Sequence, residues 1–382
     1  MNARKTRNPR GRLDASPHSA HARSRAGTDP HARPHTAPAP WHRLRTTLRG
    51  WGGVGAMATV CALALTVALL LPLTQPRSED TGTATAGQGM TRVAQAKAAD
   101  CENPQDQSLA PSGGSGGTPA VDAIKARKDR RLIVGVDTNS YRWGYLDPNN
   151  PSGELEGFDI DLVHRIAEDI LGDRDAVQFK AIPTSRRIEA VQQGEVDMVV
   201  RTMTISCSRI KDVAFSAPYF VTGQQILAPK MSAITGYDKS LAGKKVCSAQ
   251  GSTAYENLEE GRKNGDLPDS TDIRTTVPNQ LDCLVKLQLG EVDAVVTDGA
   301  LAASQAAQDP AVELKGGLFT DEYYGVAMKR GSDDLVRQVN RTLEDYIEDG
   351  GWKASYEKWL HPTMDQGDKE SASATPPEAR YK

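Results

Sequence analysis

VQQGEVDMVVRTMTISCSR (191–209) opens as the end of a helical pattern, stops at Gly194, and runs through the buried-strand signature VDMVV into polar residues. Core strands seldom finish in hydroxyls such as Thr202, Thr204 and Ser206, with an arginine, Arg209, one turn further on. The same phrase returns later: VQQGEVDMVVRT (191–202) and LQLGEVDAVVTD (287–298) agree at seven of twelve positions. Each is a helix end, a glycine stop and a buried strand. Helix–glycine–strand junctions can resemble one another by chance. The alternative is two similar lobes.

Outward from this stretch, apolar runs alternate with helical patterns. RLIVGVD (131–137) and AVQFKA (176–181) read as strands. GFDIDLVHRIAEDILG (157–172) spaces Phe158, Leu162, Ile166 and Ile170 four apart, on one helical face. After residue 240 the alternation resumes with KKVCSA, GSTAYENLEEG, DIRTTV, NQLDCLVKLQLG and VDAVV. Strand and helix in turn predict an α/β fold with largely parallel sheets. Ligands of such sheets bind beyond the carboxyl ends of strands. Those ends are Thr202–Thr204 and Asp298, so two lobes imply a cleft between them.

The residues at these ends suit a zwitterion. Ser206 is a candidate helix cap. Arg209 in the first turn opposes the helix dipole, so helix stabilisation does not explain it. Thr204, free amides and Arg209 suit a carboxylate; a structural salt bridge is the alternative for Arg209. Gly251-Ser252-Thr253 opens a helix after a strand and offers a second anion seat, without the lysine of a P-loop. Asp298 can hold an ammonium group, or simply cap the helix that follows. A carboxylate clamp with an ammonium clamp describes an α-amino acid.

The chain resembles the type II amino-acid-binding proteins of ABC importers (solute-binding proteins of family 3), with Cys-bearing motifs like those of the glutamate-binding branch. The motifs that carry this are GVDTNSYRWGY, GFDIDLVHRIAEDILG, RRIEAVQQGEVDMVV, TMTISCSRIKDVAFSAPYF, LAGKKVCSAQGST, GEVDAVVTD, YYGVAMKRGSDDLVRQVN and DGGWKASYEKWL, spread over about 130–361. The resemblance implies a periplasmic-binding-protein type II fold: lobe 1 over 130–218 and 326–362, lobe 2 over 224–320, and hinge strands near 219–223 and 321–325. It implies that Asp298 and the Thr202 carbonyl hold an α-ammonium. Arg209, Thr204 and the Thr253 backbone would hold the α-carboxylate, and Asp137 would line the cleft. Where relatives stack an aromatic on the ligand, this chain has Ser140, then Tyr141 and Trp143; another aromatic position falls on Thr184. Arg187, with Arg142 as second candidate, is expected to read an acidic side chain.

Composition separates the termini from this core. Residues 1–50 hold 11 Lys+Arg against 2 Asp+Glu, and five of the seven histidines. The tail reads as disordered and cytoplasmic rather than as a nucleic-acid arm. GWGGVGAMATVCALALTVALLLPLTQP (50–76) carries no charge and is long enough to cross a bilayer. A transmembrane helix over 51–73 is therefore expected ahead of the α/β fold, with a cleaved signal as its rival. The arginines before it put the tail inside and the binding domain outside. Residues 74–120 read as a flexible linker and 363–382 as a disordered tail, leaving 121–362 as the folded binding domain.

Cys101, Cys207, Cys247 and Cys283 would lie outside the membrane, where disulfides form. Four cysteines allow three pairings. Cys247 ends a strand of lobe 2 and Cys283 lies in the next helix but one, so they can meet, which leaves Cys101 for Cys207 and would fasten the linker to lobe 1. Free thiols are the alternative. Wide spacing and few histidines argue against a metal, and no cofactor is expected. No HExxH, GxSxG or nucleophile–base pair supports an enzyme. The expected function is delivery of an amino acid, glutamate or a related acidic or amide one, to an ABC permease and ATPase. The alternative is a sensor that reports ligand to a signalling partner such as a kinase.

Overall fold

A computed structural model describes residues 101–112, 117–364, 372 and 374–382. The expected tail 1–50, helix 51–73 and most of the linker lie outside the described residues. Among those described, no helix is long and apolar enough to cross a membrane.

Lobe 1 begins with α1 (Pro119–Lys125) and the buried strand β1 (Leu132–Val136). Three short strands, β2 (Asn139–Ser140), β3 (Gly144–Leu146) and β4 (Leu155–Glu156), form a small antiparallel sheet. Helix α2 (Phe158–Leu171) buries Phe158, Leu162, Ile166 and Ile170, the face that its four-residue spacing predicts. Gly157 precedes it at φ 134°, and a Cβ there would strike the Trp143 carbonyl. Next come β5 (Val177–Ala181), α3 (Arg187–Gln192), β6 (Met198–Val199) and β7 (Ala214–Phe215).

The chain leaves through β8 (Phe220–Thr222) into lobe 2. Lobe 2 comprises β9 (Gln224–Pro229), β10 (Lys245–Ala249), α4 (Thr253–Asn264), β11 (Asp272–Val277), α5 (Gln280–Gln288), β12 (Ala294–Asp298), α6 (Gly299–Ala306) and β13 (Val312–Lys315). It returns through β14 (Glu322–Tyr324), antiparallel to β8, and completes lobe 1 with β15 (Ala327–Met328), α7 (Asp333–Glu348), α8 (Gly351–Trp359) and α9 (His361–Met364).

The two five-stranded sheets have the orders β5-β1-β6-β15-β7 and β11-β10-β12-β9-β13. In both, the third strand pairs parallel on one side and antiparallel on the other. Those third strands, β6 and β12, are the repeated sequences. The repeated aspartate has the same task twice: Asp197 accepts from the Ile133 amide at 2.8 Å and Asp293 from the Lys245 amide at 2.7 Å. The repeated glycines also match, Gly194 at φ 71° and Gly290 at φ 69°. The echo therefore marks two lobes of one design.

Two expectations from composition change. Residues 101–112, read as flexible linker, lie against lobe 1, fastened by a Cys101–Cys207 disulfide. Ser108 donates to the Phe215 carbonyl at 2.9 Å and accepts from Asn340 at 2.8 Å. Of the tail read as disordered, Tyr381 pairs with Ser108, and the Lys382 amide donates to the Ser108 carbonyl at 3.0 Å. Polar, small residues give no hydrophobic signal, but a crosslink and backbone pairing order them all the same. The second disulfide joins Cys247, in the middle of β10 rather than at its end, to Cys283 in α5, within lobe 2.

Candidate functional site

β6 and β12 deliver their polar ends to one region, where buried charges of both signs collect. Thr202 has φ 42°, the left-handed region that a β-branched residue avoids. Its amide donates to Asp159 Oδ2 at 3.1 Å and its carbonyl accepts from Arg187 at 3.4 Å. Asp159, in the first turn of α2, also accepts from the Tyr219 hydroxyl at 2.8 Å. Burial pushes the Asp159 carboxyl up to about 7 despite these two donors.

Arg209 begins a single 3-10 turn, Arg209–Lys211, rather than an α-helix. Its amide faces Ser206 Oγ at 3.4 Å, and its guanidinium donates to the Thr204 carbonyl at 2.8 Å and the Gly251 carbonyl at 3.2 Å. Arg187, at the start of α3, donates to the carbonyls of Thr184 at 3.0 Å, Arg201 at 3.2 Å and Gly251 at 3.4 Å. Arg187 is 3% and Arg209 4% exposed. Neither ion-pairs with a carboxylate among the described residues; their hydrogen bonds go to carbonyls. Burial lowers both pKa values, and the Arg209 charge lowers that of Arg187 further.

Asp298 occupies the cap position of α6, yet its side chain makes no capping bond. It accepts instead from the Tyr324 hydroxyl at 2.6 Å. Burial, and then Glu322, push its carboxyl up to about 7, while Tyr324, Arg187 and Arg209 pull it down. Thr253 opens α4 behind the capping Ser252, whose Oγ accepts from the Tyr255 amide at 3.2 Å. The Thr253 hydroxyl donates to Glu322 at 3.0 Å and accepts from Gln224 at 3.0 Å. Thr204 also hydrogen-bonds Glu322, which sits on the return hinge strand β14.

Thr202, Thr204, Arg187, Arg209, Thr253 and Asp298 are thus brought together. The other candidates differ. Asp137 lies 2.7 Å from Arg201, so its charge is already matched. Trp143 is fully buried, its indole donating to Ser304 at 3.2 Å and its ring edge-on to Phe220 at 4.9 Å. It is a core residue, not a stacking platform. Tyr141 packs edge-on against Tyr145 at 5.2 Å, under the Arg142 guanidinium. Arg142 donates to the Trp359 carbonyl at 3.0 Å in α8, which removes it as a side-chain reader. Sequence reasoning missed Glu322, Asp159 and Arg201. Arg201 carried a signal, a charge directly after a buried strand; Glu322 in FTDEYY carried none.

The arrangement can hold an anion on two guanidiniums and a cation on Asp298 with Glu322. Residues 132–362 match the bacterial extracellular solute-binding proteins, family 3. Similar curated proteins include the ABC transporter glutamine-binding protein GlnH of Bacillus subtilis, 37% identical over 63% of this chain and 85% of that protein. The glutamate-binding protein GluB of Corynebacterium glutamicum is 28% identical over 54% of this chain and 71% of that protein. Among solved structures, an ancestral arginine-binding protein bound to glutamine is 35% identical, covering 60% of this chain and 97% of its own, at TM-score 0.54. The L-cysteine receptor of Neisseria gonorrhoeae is 27% identical, covering 68% of this chain and 99% of its own, at TM-score 0.59. The chain belongs to the bacterial extracellular solute-binding proteins, family 3, a family of receptors rather than enzymes.

Proposed function

We propose that the chain binds an acidic amino acid, L-glutamate before its amide, and delivers it to an ABC permease and ATPase by closure of the two lobes. The observation that carries this is the pair Arg187 and Arg209: two guanidiniums, both buried, neither ion-paired to an acid among the described residues. Buried charges need partners. Arg209, with Thr204 and the Thr253 amide, takes the α-carboxylate. Asp298 and the Thr202 carbonyl take the ammonium. Arg187 takes the distal carboxylate. The glutamate- and glutamine-binding names of the relatives agree with a ligand of this size.

Calorimetry with glutamate, glutamine and arginine tests this. Glutamate should bind more tightly than glutamine; tighter binding of arginine contradicts the reading. The uncharged run 50–76 supports an uncleaved anchor over 51–73. The full chain should then sediment with membranes while its binding domain is cut by external protease. A mature form starting near Ala98 contradicts the anchor.

A further inference from the structure

We propose that Arg201 is a positioning residue, one half of a latch that holds the lobes closed without touching the ligand. Its side chain is completely buried. Within lobe 1 it pairs with Asp137 at 2.7 Å and donates to the Thr184 hydroxyl at 2.9 Å. It then crosses to lobe 2 and donates to Asn279 Oδ1 at 2.9 Å. Thr184 crosses beside it: its hydroxyl donates to Gln280 at 3.2 Å and its amide to the Pro278 carbonyl at 3.1 Å. Two residues of lobe 1 therefore meet three successive residues of lobe 2, with no hinge residue involved.

Three features suit these contacts to reversible use. Asp137 neutralises Arg201 in either state, so opening exposes no unpaired charge. Asn279 also caps α5 in a capping box with Asp282, so it keeps a partner when Arg201 withdraws. The Cys247–Cys283 disulfide ties α5 to β10, so the lobe 2 half moves as a unit with the strand that leads to Gly251. Arg187 and Arg209 reach across to Gly251 as well, but their charge awaits an anion. The latch is one ligand-independent part of closure, beside the Trp143–Ser304 hydrogen bond.

The latch rests on the clamp reading for its role, so the test has one arm with ligand and one without. Asn279→Ser retains a capping hydroxyl and Gln280→Ala leaves lobe 1 intact, so both variants should fold. In the full chain, the distance between spin labels on exposed Lys128 and Lys263 positions is measured without ligand. The variants should shift that distribution toward longer, open distances. Glutamate dissociation, followed by stopped flow, should speed up about tenfold, with association little changed. Unchanged distances in both variants overturn the latch, whether or not any amino acid binds. An Arg201→Met variant that reverses the order of glutamate and glutamine, while Asn279→Ser leaves dissociation unchanged, also overturns it, because Arg201 would then read the ligand. If wild type binds no amino acid but the distances shift, the clamp reading fails and the latch stands.

Discussion

Arg187 and Arg209 donate to one acceptor, the Gly251 carbonyl, at 3.4 and 3.2 Å. One neutral oxygen from lobe 2 thus faces two cations from lobe 1. A bound anion would replace a shared dipole with a full charge, at the point where the lobes meet. Removing Arg209 should therefore weaken every amino acid. Losing one partner of a buried charge pair costs on the order of 2–5 kcal/mol, about 30- to several-thousand-fold in affinity. Arg187→Met, which keeps volume, should weaken glutamate and aspartate far more than glutamine and asparagine. Titration of all four ligands into both variants checks this. Equal losses for glutamate and glutamine in Arg187→Met would make Arg187 structural.

Asp298 and Asp159 give the protein a pH signature. Both carboxyls are raised to about 7 by burial. Between the ordinary carboxyl range and 7, the folded chain keeps protons that the unfolded chain has lost. Stability of the unliganded protein should accordingly fall as pH rises through this window. Ligand acts the other way: an ammonium needs the Asp298 carboxylate, so below 7 binding must displace a proton. Affinity should drop by up to about tenfold per pH unit on acidification, and Asp298→Asn should abolish that slope. Calorimetry in buffers of different ionisation heat would register the released proton.

The Cys247–Cys283 bridge closes a loop of sequence separation 36. Its loss by double substitution to serine should cost roughly 3–4 kcal/mol, read as a lower denaturant midpoint. Non-reducing peptide mapping should recover this pair and Cys101–Cys207. Free thiols at Cys247 and Cys283 in protein from an oxidising host would contradict the pairing.

Trp143 should behave as core. Trp143→Ala should destabilise by about 3–5 kcal/mol, measured by urea unfolding. Trp143→Phe should leave the ranking of ligands unchanged. A reversed ranking in Trp143→Phe would restore Trp143 to the ligand site.

How far the sequence spoke depended on the physics of each residue. Periodicity revealed α2 and the strands because burial demands it. The echo around Gly194 and Gly290 revealed the repeated lobe because the aspartates of GEVD each bridge to a neighbouring strand. Arg209, Thr204, Thr202 and Asp298 were legible because polarity at a strand end is unusual. Trp143 misled, since an aromatic in a loop next to a strand looks the same whether it faces a ligand or the core; only packing against Phe158, Phe220 and Tyr324 decides it. Glu322 was invisible because its significance depends on Thr204, Thr253 and Asp298, far away in the chain. Of the strap 101–112 only the Cys101–Cys207 crosslink was legible; the order of the rest was not, because hydrogen bonds of small polar residues such as Ser108 give no pattern.

The clamp proposed for Arg187, Arg209 and Asp298 requires that one cleft bind an ammonium and two carboxylates together. The measurement that tests it most directly is calorimetry of the full chain with glutamate, glutarate and γ-aminobutyrate. Glutarate keeps both carboxylates and lacks the ammonium; γ-aminobutyrate lacks the α-carboxylate. Glutamate should bind, and each analogue should bind at least about 30-fold more weakly. Glutarate binding as tightly as glutamate, or no heat from glutamate at all, would contradict the account.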